Sequence, residues 1–132
     1  MVDAKSGGKV VLVVEDDEDI RSSLRAILEM EGYRPREASS GREALEHLAR
    51  DRGVDLILLD LMMPEMDGWE FRARQLGDPR IARIPVVVVS GAGAMADDIS
   101  ELRVAAFLRK PVDPEELAQV VHDQIAEPPG AA

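Results

Sequence analysis

The chain has 132 residues, 45% of them apolar and 32% charged, which is material for one hydrophobic core and not for two. Its 26 acids against 16 bases leave a net charge of −10, which opposes direct nucleic-acid binding because that needs lysine and arginine to displace phosphate counterions. There is no cysteine, so disulfides and thiolate chemistry are excluded, and no apolar run exceeds five residues where a bilayer demands roughly 20.

The expectation is therefore a soluble cytoplasmic domain that touches neither membrane nor nucleic acid. Residues 1–8 read as a flexible N-terminus and 9–126 as the domain. Residues 127–132, with Pro128, Pro129 and Gly130, read as a disordered tail or the start of a linker.

The run Val10–Val14 does not alternate apolar with polar, so it predicts a strand buried on both faces. Ile20, Leu24, Ile27 and Leu28 then form one helical stripe, closed by Gly32. Residues 33–38 predict a second strand, at an edge because Pro35 lacks an N–H. Residues 41–51 predict a helix facing inward through Ala44, Leu45 and Leu48. A third buried strand follows over 54–59. Residues 69–76 predict a helix with Trp69, Ala73 and Leu76 on its inward face and Phe71 off it.

A fourth strand is predicted over 84–89, then a helix over 94–103 facing inward through Ile99 and Leu102. A fifth strand covers 105–108. The last helix starts near Pro114 and faces inward through Leu117, Val120, Val121 and Ile125. Strands alternating with helices give an α/β, doubly wound, (βα)5 flavodoxin-like domain with a five-stranded parallel sheet. An edge position for strand two suits the order 2-1-3-4-5. In such a sheet the ligand sits beyond the carboxyl ends of strands one and three.

Glu15, Asp16 and Asp17 stand at the end of strand one, and Asp60 stands at the end of strand three. Carboxylates converging there repel one another unless a cation sits among them. An all-oxygen set without histidine or cysteine selects a hard ion, Mg2+ (or Mn2+). Asp17, Glu18 and Asp19 read instead as acids favouring a helix N-terminus, which leaves Glu15, Asp16 and Asp60 for the metal. Strand four ends in Ser90 and strand five runs into Lys110, one of three lysines beside thirteen arginines. A hydroxyl and an ammonium at one rim suit phosphoryl oxygens. Together the strand ends describe phosphoryl transfer to an aspartate, driven by positioning and charge.

Four blocks carry a resemblance over nearly the whole chain, residues 9–125. They are Val11-Leu12-Val13-Val14-Glu15-Asp16-Asp17, Leu58-Leu59-Asp60-Leu61-Met62-Met63-Pro64-Glu65-Met66-Asp67-Gly68, Val88-Val89-Ser90 and Phe107-Leu108-Arg109-Lys110-Pro111. In that order and spacing they resemble the receiver domains of two-component response regulators.

The resemblance implies that Asp60 accepts a phosphoryl group from a histidine kinase or histidine phosphotransfer protein and that an unknown downstream protein reads the result. It implies that Asp16 binds metal directly, Glu15 through water, and Met62 through its backbone carbonyl. Ser90 matches the switch hydroxyl, Lys110 the lysine on the phosphoryl oxygen, and Phe107 the aromatic ring that turns when the hydroxyl moves. It further implies a cis Lys110–Pro111 peptide and no enzymatic activity beyond slow self-phosphorylation and self-dephosphorylation.

This chain departs from the family pattern in carrying Glu15 rather than aspartate and Arg72 where an apolar residue is commoner. The stretch from Ser90 to Lys110 is also about two residues short. His47 and His122 lack partner clusters and read as surface or helix-flank residues. Met62, Met63 and Met66 read as loop and core packing, the lesser alternative being that one of them lends a docking surface an adaptable apolar contact. A Mg2+ phosphohydrolase with an aspartyl-phosphate intermediate would want an aspartate where Met62 stands. A pseudo-receiver interaction module would show a gap among Asp16, Asp60, Ser90 and Lys110, and the sequence has none.

Overall fold

The computed structural model describes residues 8–51, 53–91 and 101–125. The strands are β1 (Val10–Val14), β2 (Arg34–Ala38), β3 (Leu56–Leu59), β4 (Val86–Ser90) and β5 (Ala106–Arg109). They form one parallel sheet in the order β2-β1-β3-β4-β5. The helices among the described residues are α1 (Glu18–Met30), α2 (Gly41–Arg50), α3 (Gly68–Leu76) and α4 (Pro114–Ile125). Of the helix expected over 94–103, residues 94–100 lie outside the described residues, and 101–103 form a turn with Arg103 at φ 54°.

Alternation along the strands divides the core in two. Leu12, Val14, Ile57, Leu59, Val86 and Val88 pack beneath α2 and α3 against Ala44, Leu48 and Phe71. Val11, Val13, Leu56, Leu58, Val87 and Val89 pack beneath α1 and α4 against Leu24, Leu28, Leu117 and Val121. With both faces covered, the central strands need no polar alternation, which is why they read as continuous apolar runs. β2 lies at the edge, and its Pro35 sits opposite Val11.

Strand boundaries shift from expectation where the ladder begins. Val54 is buried but precedes the first pair, Val11 with Leu56. Just before β4, Pro85 has no N–H to give, and its carbonyl instead accepts from Ile57 at 3.0 Å.

Helix starts are fixed by side-chain caps. The Asp17 carboxylate accepts from the Ile20 N–H at 3.0 Å, the Ser40 hydroxyl from Glu43 at 3.1 Å, and the Asp67 carboxylate from Glu70 at 2.9 Å. Asp17 thus has the helix-capping role expected of it. Gly32 takes φ 88° just past α1, the left-handed residue that ends many helices.

The facing of α3 corrects the expectation. Phe71 is fully buried, whereas Leu76 is 43% exposed. The inward residues are Gly68, Phe71, Arg72 and Gln75, a regular helical stripe that is half polar. The hydrophobic pattern pointed elsewhere because Arg72 and Gln75 satisfy their polar atoms inside the protein. The Arg72 Nε and Nη2 donate to the Leu102 and Arg103 carbonyls at 2.9 and 2.7 Å, and Nη1 donates to Gln75 Oε1 at 2.7 Å. Gln75 Nε2 in turn donates to the Ile81 and Ile84 carbonyls at 2.9 and 3.0 Å.

Candidate functional site

Backbone hydrogen bonds place the strand ends side by side. The Asp60 N–H donates to the Val14 carbonyl at 3.0 Å and the Glu15 N–H to Ala38 at 3.1 Å. The Lys110 N–H donates to Ser90 at 2.9 Å. Each link follows directly from the parallel register. Together they bring Glu15, Asp16, Asp60, Ser90 and Lys110 to one rim. Every strand-end residue singled out in the sequence reaches it.

One carboxylate oxygen from each of Glu15, Asp16 and Asp60 lies within 4.8 Å of the others. Glu15 and Asp60 are buried, while Asp16 is exposed at the mouth. A cation bonded at about 2.1 Å holds opposite ligands about 4.2 Å apart, so small side-chain rotations bring these oxygens into its shell. The set is hard, anionic and open to solvent on one side. It fits Mg2+ or Mn2+.

Lys110 crosses this cluster. Its Nζ lies 2.8 Å from Glu15 Oε1 and 3.5 Å from Asp60 Oδ1. Burial alone would lower the lysine pKa, but its hydrogen bond to Glu15 and the two negative charges outweigh that and raise it. Burial pushes the Glu15 carboxyl up to about 7, against the pull of Lys110 and of the Asp17 N–H, and the Asp60 charge adds to the rise. Two buried acids therefore share one lysine, and a divalent cation would complete the balance.

The remaining polar atoms are held by the loops. The Met62 N–H donates to Asp60 Oδ1 at 3.2 Å, while Met62 itself is 58% exposed. The Asp17 N–H donates to Glu15 Oε2 at 3.2 Å. Ser90 is fully buried, and among the described residues its Oγ has no hydrogen-bond partner. An orphaned hydroxyl at this depth is ready to take a ligand atom. Phe107 pairs with Val88 in register, on the face that alternation also gives to Ser90, and is half-buried against the same core cluster as Val104 and Ile84. The Lys110–Pro111 peptide is cis.

α3 starts so close to this rim that only glycine fits. A Cβ on Gly68 would lie 2.7 Å from Leu61 Cα and 2.8 Å from the Asp60 carbonyl oxygen.

One contributor had no distinguishing mark in the sequence. Arg21 donates from Nη1 to the Glu15 backbone carbonyl at 2.8 Å and is tethered at Nε by Glu37 at 3.0 Å. Its only advance signal is its place on the first turn and a half of α1, within reach of the end of β1. His47 lies away from the rim, 3.8 Å from Asp51 on α2, and His122 is exposed on α4.

Comparison with known proteins agrees with this geometry. A family model described as the response regulator receiver domain matches residues 11–122. The chain is 34% identical over 119 residues to response regulator Rre1 of Synechocystis, covering 88% of this chain and 51% of that protein. It is 37% identical to the phosphate regulon transcriptional regulatory protein PhoB of Pseudomonas aeruginosa, covering 83% of this chain and 48% of that one. It thus spans about half the length of these two relatives. The crystal structure of a response regulator receiver protein from Pseudomonas putida superposes with a TM-score of 0.82 at 31% identity, over 87% of this chain and 96% of that one.

Proposed function

We propose that this protein, which belongs to the response regulator receiver domain family, takes a phosphoryl group onto Asp60 from a phosphohistidine and changes shape in response. The observation that carries the reading is the buried Asp60 carboxylate, set between a lysine ammonium and two further acids, with an orphaned Ser90 hydroxyl at the same rim. A site for a stable structural ion would not need that lysine or that hydroxyl.

In the transfer an Asp60 oxygen attacks phosphorus in line with the P–N bond. The P–O bond forms, the P–N bond breaks, and the donor imidazole leaves with the electron pair. Lys110 moves from Glu15 onto a phosphoryl oxygen, and Ser90 Oγ takes another as the partner it lacks. Glu15, Asp16, Asp60 and the Met62 carbonyl would hold Mg2+ or Mn2+, which when bound neutralises charge on the phosphoryl oxygens. As Ser90 moves toward the phosphoryl group it vacates space on its sheet face, and Phe107 turns into it. The donor is a histidine kinase or histidine phosphotransfer protein. An apolar depression of about 510 Å³ beside Lys110, lined by Ile20, Leu24, Ile27, Pro111 and Val112, offers its docking surface. The protein is a signalling domain, and its output is contact with a downstream protein.

The test is incorporation of one phosphoryl group from acetyl phosphate, followed by intact mass. The wild type is expected to be modified only with Mg2+ or Mn2+, Asp16→Asn poorly, and Asp60→Asn not at all. Modification of Asp60→Asn at the wild-type level would overturn the reading.

A further inference from the structure

Arg72 is a buried cation, 6% exposed, and its three hydrogen-bond acceptors are the Leu102 and Arg103 carbonyls and Gln75 Oε1. Among the described residues no carboxylate pairs with it. A guanidinium removed from water is tolerated when fixed acceptors replace its hydration. Here two of those acceptors belong to a turn 30 and 31 residues away in the chain.

That turn is itself unusual. Arg103 adopts φ 54°, a left-handed conformation that a non-glycine residue holds only when its surroundings fix it. The guanidinium fork grips the carbonyls on either side of that conformation, and Gln75 locks the fork from behind through the Ile81 and Ile84 carbonyls. Immediately after the turn, the Ala105 N–H makes its bond to Val86 at 2.8 Å, and Phe107 follows two residues later. Val104 and Phe107 pack into the same cluster as Phe71, the neighbour of Arg72 on α3.

We infer that Arg72 is a positioning residue for the switch: by fixing the turn at 101–103 it holds the start of β5, and with it Phe107, in the resting arrangement. The inference rests on the proposed reading that Phe107 turns when Asp60 carries a phosphoryl group. A contact made to one arrangement of a two-state element biases the equilibrium by its differential strength. Loss of a two-carbonyl fork shifts the resting equilibrium about tenfold toward the turned ring. By linkage, anything that binds the turned state then binds more tightly by up to the same factor.

Two phenylalanines, Phe71 and Phe107, make this directly observable. The full chain labelled with 4-fluorophenylalanine gives two fluorine resonances, assigned by a Phe71→Leu variant. Beryllium fluoride with Mg2+ serves as the phosphoryl probe. In the wild type the Phe107 resonance is expected to move when the probe binds. In Arg72→Met it is expected to lie part of the way there beforehand, and the probe should bind about tenfold more tightly. Damage that merely loosened the fold would weaken probe binding instead. A wild-type response with an Arg72→Met protein that binds the probe equally or more weakly would overturn the role of Arg72 alone. A wild-type Phe107 resonance that ignores the bound probe would overturn the switch reading and this inference with it. If Arg72→Met does not fold, Arg72→Lys keeps the charge, loses the fork, and carries the same two readouts.

Discussion

Replacing Gly68 with alanine tests how closely α3 is fitted to the site. The new Cβ would sit 2.7 Å from both Leu61 Cα and Leu61 Cδ2, and 2.8 Å from the Asp60 carbonyl oxygen. Ordinary contacts between such carbons start near 3.5 Å, so about 0.8 Å of overlap must be relieved. The Leu61 side chain can rotate away, but Leu61 Cα and the Asp60 carbonyl are backbone. The relief therefore comes from moving the start of α3 or the chain just after β3. Overpacking of this kind costs about 1–3 kcal/mol, and backbone partners place Gly68→Ala near the middle of that range. For a domain of this size 2 kcal/mol corresponds to a fall in melting temperature of roughly 6–12 °C.

Two other glycines calibrate the number. At Gly41 the added Cβ meets Met66 Sδ at 2.8 Å, the far end of a flexible side chain, so Gly41→Ala should cost less. At Gly77 the nearest atoms are carbonyl oxygens at 3.5 and 3.6 Å and φ is −79°, so Gly77→Ala should be neutral or stabilising by up to about 1 kcal/mol. The assay is thermal unfolding by circular dichroism on all three variants. Because the strain falls on Asp60 and Leu61, only Gly68→Ala should also slow phosphorylation by acetyl phosphate, by about tenfold. A Gly68→Ala protein as stable and as reactive as the wild type would refute the argument. So would a Gly77→Ala protein less stable than Gly68→Ala.

Other perturbations separate the parts of the site. Arg21→Met removes the donor to the Glu15 carbonyl and should weaken Mg2+ binding by about threefold to tenfold in calorimetry, an effect on the order of one ordinary hydrogen bond, while leaving the sheet intact. Ser90→Ala should still accept phosphate on Asp60, yet the Phe107 fluorine resonance should no longer follow it. The lifetime of the phosphorylated state depends on a water held in line with phosphorus. The resemblance to receiver domains implies that the positions two residues after Asp60 and two after Ser90 would hold it. These are Met62 and Ala92, the latter outside the described residues, and neither carries a charged or amide group. The modified wild type should therefore last minutes to hours, and Met62→Asn with Ala92→Glu should shorten that by roughly 10–100-fold in a mass-based decay assay. A double variant that decays no faster would show that another group positions the water.

The sheet was legible because its central strands, buried on both faces, carry uninterrupted valine, isoleucine and leucine. Its order was legible because Pro35 is tolerable only at an edge. The site was legible for a related reason. In a parallel sheet every strand delivers its C-terminal residue to the same rim, so Glu15, Asp60, Ser90 and Lys110 needed only their strands to be placed. The inward face of α3 was not legible, since hydrophobic periodicity cannot distinguish a buried arginine with three acceptors from a surface one. Nor could it show that Lys110 stands nearer to Glu15 than to Asp60, or that Arg21 reaches back to the Glu15 carbonyl, because those depend on side-chain reach across the rim.

The most direct test of the central claim is to locate the modified atom. The wild type treated with acetyl phosphate and Mg2+, reduced with borohydride and digested, is expected to carry homoserine at position 60, with Glu15 and Asp16 unchanged. That product arises only from an acyl phosphate on the Asp60 carboxyl. Homoserine elsewhere with Asp60 unchanged, or a phosphoryl group that resists borohydride, would contradict the account.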